Sequence, residues 1–236
     1  MPTSSIYTTR AVFFDLDGTL LDTAPDMVGA LNLLLKEEDA PAIDYDIARK
    51  VVSDGTQALV NLGFGESQSD DDFTRRCQRY LAIYAENVCV DTVLFDGMAE
   101  TLEFLEAHNI VWGVVTNKPE FLTTPLLKAL GLDVRAGSVV SGDSLPVRKP
   151  NPEPLFHAAN ECNVLSTESI YVGDASRDVE AGNRAGMITL LASYGYIDND
   201  HQPETWGANG IIEQASEIID WLSEVPELEL DIQRAN

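Results

Sequence analysis

Short apolar runs alternate along this chain with stretches in which apolar residues return every three or four positions. The runs at residues 11–16, 110–116, 138–141, 169–172 and 187–192 have strand length. Between them, residues 97–108, 120–130, 154–162 and 175–185 carry helical spacing, and Gly131 and Gly186 stand where two of these helices should stop. Strand and helix in alternation predict an α/β fold, a doubly wound parallel sheet with helices on both faces. Residues 22–93 break the alternation. Three helical patterns follow one another there, at 25–38, 45–62 and 70–87. Leu31, Leu34 and Leu35 give the first an apolar stripe, and Phe73, Tyr80, Leu81 and Tyr84 give the third one. This predicts a small helical unit inserted after the first strand, with hinges near residues 20–23 and 93–97.

The chemistry sits where the apolar runs end. The first run closes on Asp15-Leu16-Asp17-Gly18-Thr19, two carboxylates two residues apart. In a strand such residues point to the same side. Two like charges at the end of a buried strand repel, and a divalent cation between them removes that cost. A carboxylate beside a cation can also attack phosphorus. The plain alternative is a polar turn. Thr116-Asn117 closes the second run, Lys149 lies in Arg148-Lys149-Pro150, and Gly173-Asp174-Ala175-Ser176-Arg177-Asp178 follows the fourth run. Each has its own plain reading: a helix cap for Thr116, a solvated cation for Lys149, a helix-dipole pair for Asp174 and Asp178. Sites in open parallel sheets lie outside the carboxyl ends of the strands, so one crevice can collect Asp15, Asp17, Thr116 and Asp174.

Composition narrows the partners. The 236 residues hold 15 Lys and Arg against 39 Asp and Glu, a net charge of −24 that argues against nucleic acid or an anionic membrane. A well-solvated acidic surface explains the balance; a saline or cold habitat is the sharper alternative. An anionic substrate still needs local positive charge, which Lys118, Arg148, Lys149 and Arg177 can supply. No apolar run approaches the ~20 residues that cross a bilayer. Residues 1–10 are short and polar, without the apolar core of a signal peptide. Cys77, Cys89 and Cys162 are odd in number and scattered, which suits a reducing cytoplasm. His108, His157 and His201 show no ligand spacing.

The four polar sets, in this order, resemble the four motifs of the haloacid dehalogenase-like hydrolases over roughly residues 11–195. The resemblance implies a Rossmann-like hydrolase core of residues 1–20 and 94–236 under an α-helical cap of residues 21–93. It implies Asp15 as a nucleophile forming an aspartyl-phosphate and Asp17 as general acid and base. Thr116 would bind a phosphoryl oxygen and Lys149 would neutralise developing charge. Mg²⁺ would be held by Asp15, the backbone carbonyl of Asp17 and Asp174. Asn117, Asp178, Gly18 and Thr19 would support this set, with Asp178 either binding metal through water or orienting Lys149. Dehalogenases lack the second carboxylate, which is present here. Residues 22–26 and 116–119 look most like the phosphoglycolate phosphatase group. Residues 112–115, 194–197 and 206–208 look also like phosphatases of N-acetylmuramic acid 6-phosphate. The expected function is hydrolysis of a small phosphorylated metabolite. A further sugar-phosphate phosphatase, a phosphomutase and a catalytically silent binding module are the alternatives, and the sequence leaves monomer or homodimer open. Ser53-Asp54-Gly55-Thr56, a polar interruption of the second helical pattern, is the candidate specificity stretch, since glycine lets backbone approach a ligand.

Overall fold

A computed structural model describes residues 8–197 and 202–222. The acidic tail from Pro226, residues 1–7 and His201 lie outside the described residues. The strands are β1 (Ala11–Phe14), β2 (Leu21–Asp22), β3 (Val93–Leu94), β4 (Val111–Val115), β5 (Ser138–Val140), β6 (Ser169–Gly173), β7 (Ile188–Ala192) and β8 (Gly210–Ile212). The helices are α1 (Ala24–Glu37), α2 (Tyr45–Arg49), α3 (Gly55–Phe64), α4 (Asp70–Glu86), α5 (Met98–Ala107), α6 (Glu120–Ala129), α7 (Glu153–Glu161) and α8 (Ser176–Ala185).

Six strands form one sheet in the order β5-β4-β1-β6-β7-β8, and every pairing in it is parallel. Strand alternation builds its two covered faces. Val12 and Phe14 of β1 join Met98, Leu102 and Leu105 of α5 and Leu126 and Leu127 of α6 in one apolar cluster. Ala11 and Phe13 join Leu155, Ala158 and Ala159 of α7 and Ala181 and Ala185 of α8 in another. The chain runs outward from β1 through β4 to β5, then returns to place β6 on the other side of β1. That reversal opens a crevice at the carboxyl ends of β4, β1 and β6. The edge strand β8 has no counterpart among the expected strands.

The insertion between β2 and β3 is helical, as expected. It has its own apolar cluster, in which Leu31, Leu34 and Leu35 of α1 meet Leu59 and Val60 of α3 and Tyr80, Ile83 and Tyr84 of α4. Leu122 and Tyr196 of the sheet unit join it. β2 and β3 pair antiparallel where the chain leaves and re-enters the sheet unit. Buried Asp26 secures the return, its carboxylate accepting from the amides of Val90, Asp91 and Thr92. The second helical pattern is not one helix. α2 stops at Arg49, Val52–Asp54 makes a 3-10 turn, and α3 restarts at Gly55. Gly55 has φ 78°, a left-handed value that no α-helix interior accommodates. This break carries Ser53 to the sheet.

Candidate active site

The three central strands deliver three polar residues to one place. Asp15, Thr116 and Asp174 each follow the last residue of β1, β4 and β6, and β1 lies between the other two. The Asp15 amide donates to Val172 O at 2.8 Å and the Thr116 amide to Val140 O at 2.9 Å, so both stay in register with the sheet. The turn after Asp17 needs glycine twice over. Gly18 has φ 80°, and a Cβ there would collide with the Asp174 carboxylate. Thr19 is fully buried; its carbonyl accepts from Tyr194 OH at 3.2 Å.

Lys149 is the hub of a buried network. Its Nζ lies 2.9 Å from Asp15 Oδ1 and 2.8 Å from Asp178 Oδ1, and donates to Tyr171 OH at 2.7 Å. Three acceptors match the three donors of an ammonium whose side chain is completely buried. The Tyr171 hydroxyl in turn donates to Val115 O at 3.0 Å. Asn117 steadies the lysine from behind, donating to Lys149 O at 3.0 Å. Asp178 therefore meets Lys149 directly, while its Oδ2 accepts from the Ala175 amide at 3.0 Å. Burial pushes the Asp178 carboxyl up, but Lys149 and Arg177 outweigh it and hold the group below the usual carboxylate range. Asp15 goes the other way, raised by burial and by the charge of Asp178 against the pull of Lys149.

Asp17 faces a different partner. Its Oδ1 accepts from Lys118 Nζ at 2.8 Å and from Thr23 Oγ1 at 2.7 Å. Lys118 also donates to Tyr84 OH of α4 at 2.9 Å, so a residue of the insertion touches the cation that holds Asp17. The Thr116 hydroxyl accepts from the Lys118 amide at 3.1 Å and has no acceptor for its own proton among the described residues. The sequence marks Lys118 only as a source of positive charge. Its pairing with Asp17, and the part of Tyr171, had no local signal.

Among the described residues, Asp15, Asp174 and Asp178 are placed to share one ion, with one ligand atom of each within 4.8 Å of the others. The Asp17 carboxylate is turned away to Lys118, so the expected contribution of that residue is left to its backbone carbonyl. Asp174 Oδ1 is buried with no hydrogen-bond partner. Burial, then the charges of Asp178 and Asp15, raises the Asp174 carboxyl to about 7. Three buried carboxylates and one orphaned oxygen fit a hard divalent cation, whose charge would reverse that destabilisation.

A cavity of about 550 Å³ opens over this network. Asp15, Asp17, Thr116, Asn117 and Lys149 form its floor, with Arg148 and Arg177 beside them. Residues 52–57 and Cys77, Leu81 and Tyr84 of the insertion complete its wall. Ser53, Asp54, Gly55 and Thr56 thus all border it. Ser53 reaches further and donates from its hydroxyl to Asp174 Oδ2 at 2.7 Å. Cys77, Cys89 and Cys162 are free thiols. No helix among the described residues is long and apolar enough to cross a membrane.

Comparison with known proteins identifies the family. The haloacid dehalogenase-like hydrolase family matches residues 12–192. The chain is 39% identical over 209 residues to an N-acetylmuramic acid 6-phosphate phosphatase of Pseudomonas putida, covering 89% of this chain and 94% of that protein. It is 40% identical over 215 residues to a phosphoglycolate phosphatase of Xanthomonas campestris, again covering 89% and 94%. A crystal structure from Haemophilus somnus, named a predicted phosphoglycolate phosphatase, superposes with a TM-score of 0.80 at 28% identity, over 91% of this chain and 98% of that one. With the match running from β1 to β7 and including all four polar sets, this chain belongs to the haloacid dehalogenase-like hydrolases.

Proposed function

We propose that this protein is a Mg²⁺-dependent phosphatase that hydrolyses a small phosphate monoester through an aspartyl-phosphate on Asp15. The observation that carries the reading is Asp15 itself: buried at the end of the central strand, held by Lys149 and lining the cavity. A carboxylate oxygen of Asp15 attacks phosphorus and the ester P–O bond breaks. Asp17 gives its proton to the departing oxygen. It then takes a proton from water as that water attacks phosphorus, which returns Asp15 and releases phosphate. Thr116 donates its free hydroxyl proton to a phosphoryl oxygen, and Lys149 balances charge that grows in the transition state. Asp15 and Asp174, with the Asp17 carbonyl, would hold Mg²⁺, which would supply positive charge beside the nucleophile and the phosphoryl group. Asp178 orients Lys149. Residues 21–93 act as a cap that closes over the leaving group and excludes water. The site acts in the cytoplasm, in keeping with its free thiols.

The relatives favour two substrates. Phosphoglycolate is the first reading. Phosphorylated N-acetylmuramic acid is the second, and the cavity of about 550 Å³ has room for it. kcat/KM for 2-phosphoglycolate, N-acetylmuramic acid 6-phosphate and a panel of sugar phosphates decides between them. Turnover of none of these, nor of p-nitrophenyl phosphate, with Mg²⁺ present would refute the phosphatase reading.

A further inference from the structure

The two oxygens of Asp174 have opposite surroundings. Oδ2 accepts from the Tyr196 amide at 2.9 Å and from Ser53 Oγ at 2.7 Å. Oδ1 is buried and accepts nothing. The first donor comes from the loop after β7, within the sheet unit. The second comes from the 3-10 turn of the insertion, 121 positions away along the chain. That turn is itself fastened: Arg177 Nη2 donates to Ser53 O at 2.7 Å, so the backbone of Ser53 is tied to the first turn of α8 and its hydroxyl to Asp174, two residues before that helix. Gly18 and Gly195 let the backbone pack close against this carboxylate, since a Cβ at either would strike Asp174.

A carboxylate pinned through one oxygen offers the other as a single, oriented ligand. Outer partners of this kind fix the direction of a metal ligand, and losing one typically weakens metal binding about 10- to 100-fold. We propose that Ser53 is a positioning residue of the metal site: its hydroxyl fixes Asp174 through Oδ2 and leaves Oδ1 to ligate the cation. The inference rests on the proposed metal site, and it gives Ser53 a task apart from contact with substrate. It also makes ion affinity depend on how the insertion sits. With the insertion docked, Asp174 has both donors; with it lifted, only the Tyr196 amide remains. By linkage the ion then favours the docked arrangement by the same factor.

The test is calorimetric titration of MgCl₂ into the full chain, stripped of metal and without substrate, for wild type, Ser53→Ala and Ser53→Thr. Ser53→Ala is expected to weaken Mg²⁺ binding about 10-fold, and Ser53→Thr, which keeps the hydroxyl, to bind close to wild type. Circular dichroism of each variant checks the fold. Unchanged or tighter binding in Ser53→Ala overturns the assignment, as does equal weakening in both variants, which would make side-chain size the cause. A wild type that binds no Mg²⁺ overturns the metal site and this inference with it. A wild type that binds Mg²⁺ but does not hydrolyse p-nitrophenyl phosphate refutes the phosphatase reading and leaves the role of Ser53 standing.

Discussion

Two of the ionic networks among the described residues are built from the same kinds of groups. In the sheet unit, Lys149 sits between Asp15 and Asp178 at 2.9 and 2.8 Å with side-chain exposures of 0–5%. In the insertion, Arg75, Arg76 and Arg79 of α4 meet Glu37 and Glu38 at the end of α1 at 2.6–2.8 Å, with exposures of 18–55%. The distances hardly differ. The surroundings differ completely, and they decide what each network can do. Around Arg79 water solvates both charges and competes with their attraction, so the pair mainly marks how α1 and α4 align. Around Lys149 burial leaves solvent little access to share the charge. Each group is costly to bury alone and tolerable only with its partners. A network of that kind is a poor way to stabilise a fold and a good way to hold a nucleophile in a strong, fixed field.

The contrast can be broken from its strongest point downwards. Asp15→Asn keeps the shape of the side chain and removes the attacking oxyanion. Turnover of p-nitrophenyl phosphate should fall by on the order of 10⁶-fold, the scale at which loss of a covalent nucleophile is felt, while circular dichroism stays unchanged. Activity near wild type would remove Asp15 from the mechanism.

Next comes stability. Lys149→Met leaves Asp15 and Asp178 facing each other in a buried site. Breaking a buried pair from one side costs about 3–5 kcal/mol. Denaturant unfolding measures it directly, and a loss well under 1 kcal/mol would mean that the site is wetter than its geometry implies.

The third effect depends on pH. Asp174 titrates near 7 in the folded protein against an ordinary value of 3.8. Below the ordinary value it is neutral in both states and costs nothing. As pH rises from about 4 to about 7 the unfolded chain ionises first, so stability drains away and then levels off. In chelated buffer Asp174→Asn should therefore melt higher than wild type at pH 8, with the gap closing towards pH 4. Added Mg²⁺ should raise the melting temperature of wild type only. A gap independent of pH would show that burial of Asp174 is not what the variant relieves.

The smallest effect is expected at the exposed network. Arg79→Ala should leave the melting temperature nearly unchanged, and any residue of an effect should vanish in concentrated salt. A drop comparable with that of Lys149→Met would show that exposure is not what separates the two networks.

The chain alone carried the layered core and the positions of its chemistry. Apolar runs of strand length ending in Asp15, Thr116 and Asp174 encode both the strand and the place where it stops, because the change from apolar to polar residues is local to the chain. For the same reason the helical insertion, and the break at residues 53–56, could be seen in the spacing of apolar residues and in Gly55. β8 and the β2–β3 pair were not visible, the latter because strands of two residues show no period. What only the tertiary structure decided was which side chains meet. Lys118 reaches Asp17 across 101 positions, and Ser53 reaches Asp174 across 121. Such contacts follow from strand order and from how the insertion rests on the sheet. Neither hydrophobic spacing nor residue type records those, because a hydrogen bond requires ångström placement while burial requires only a face.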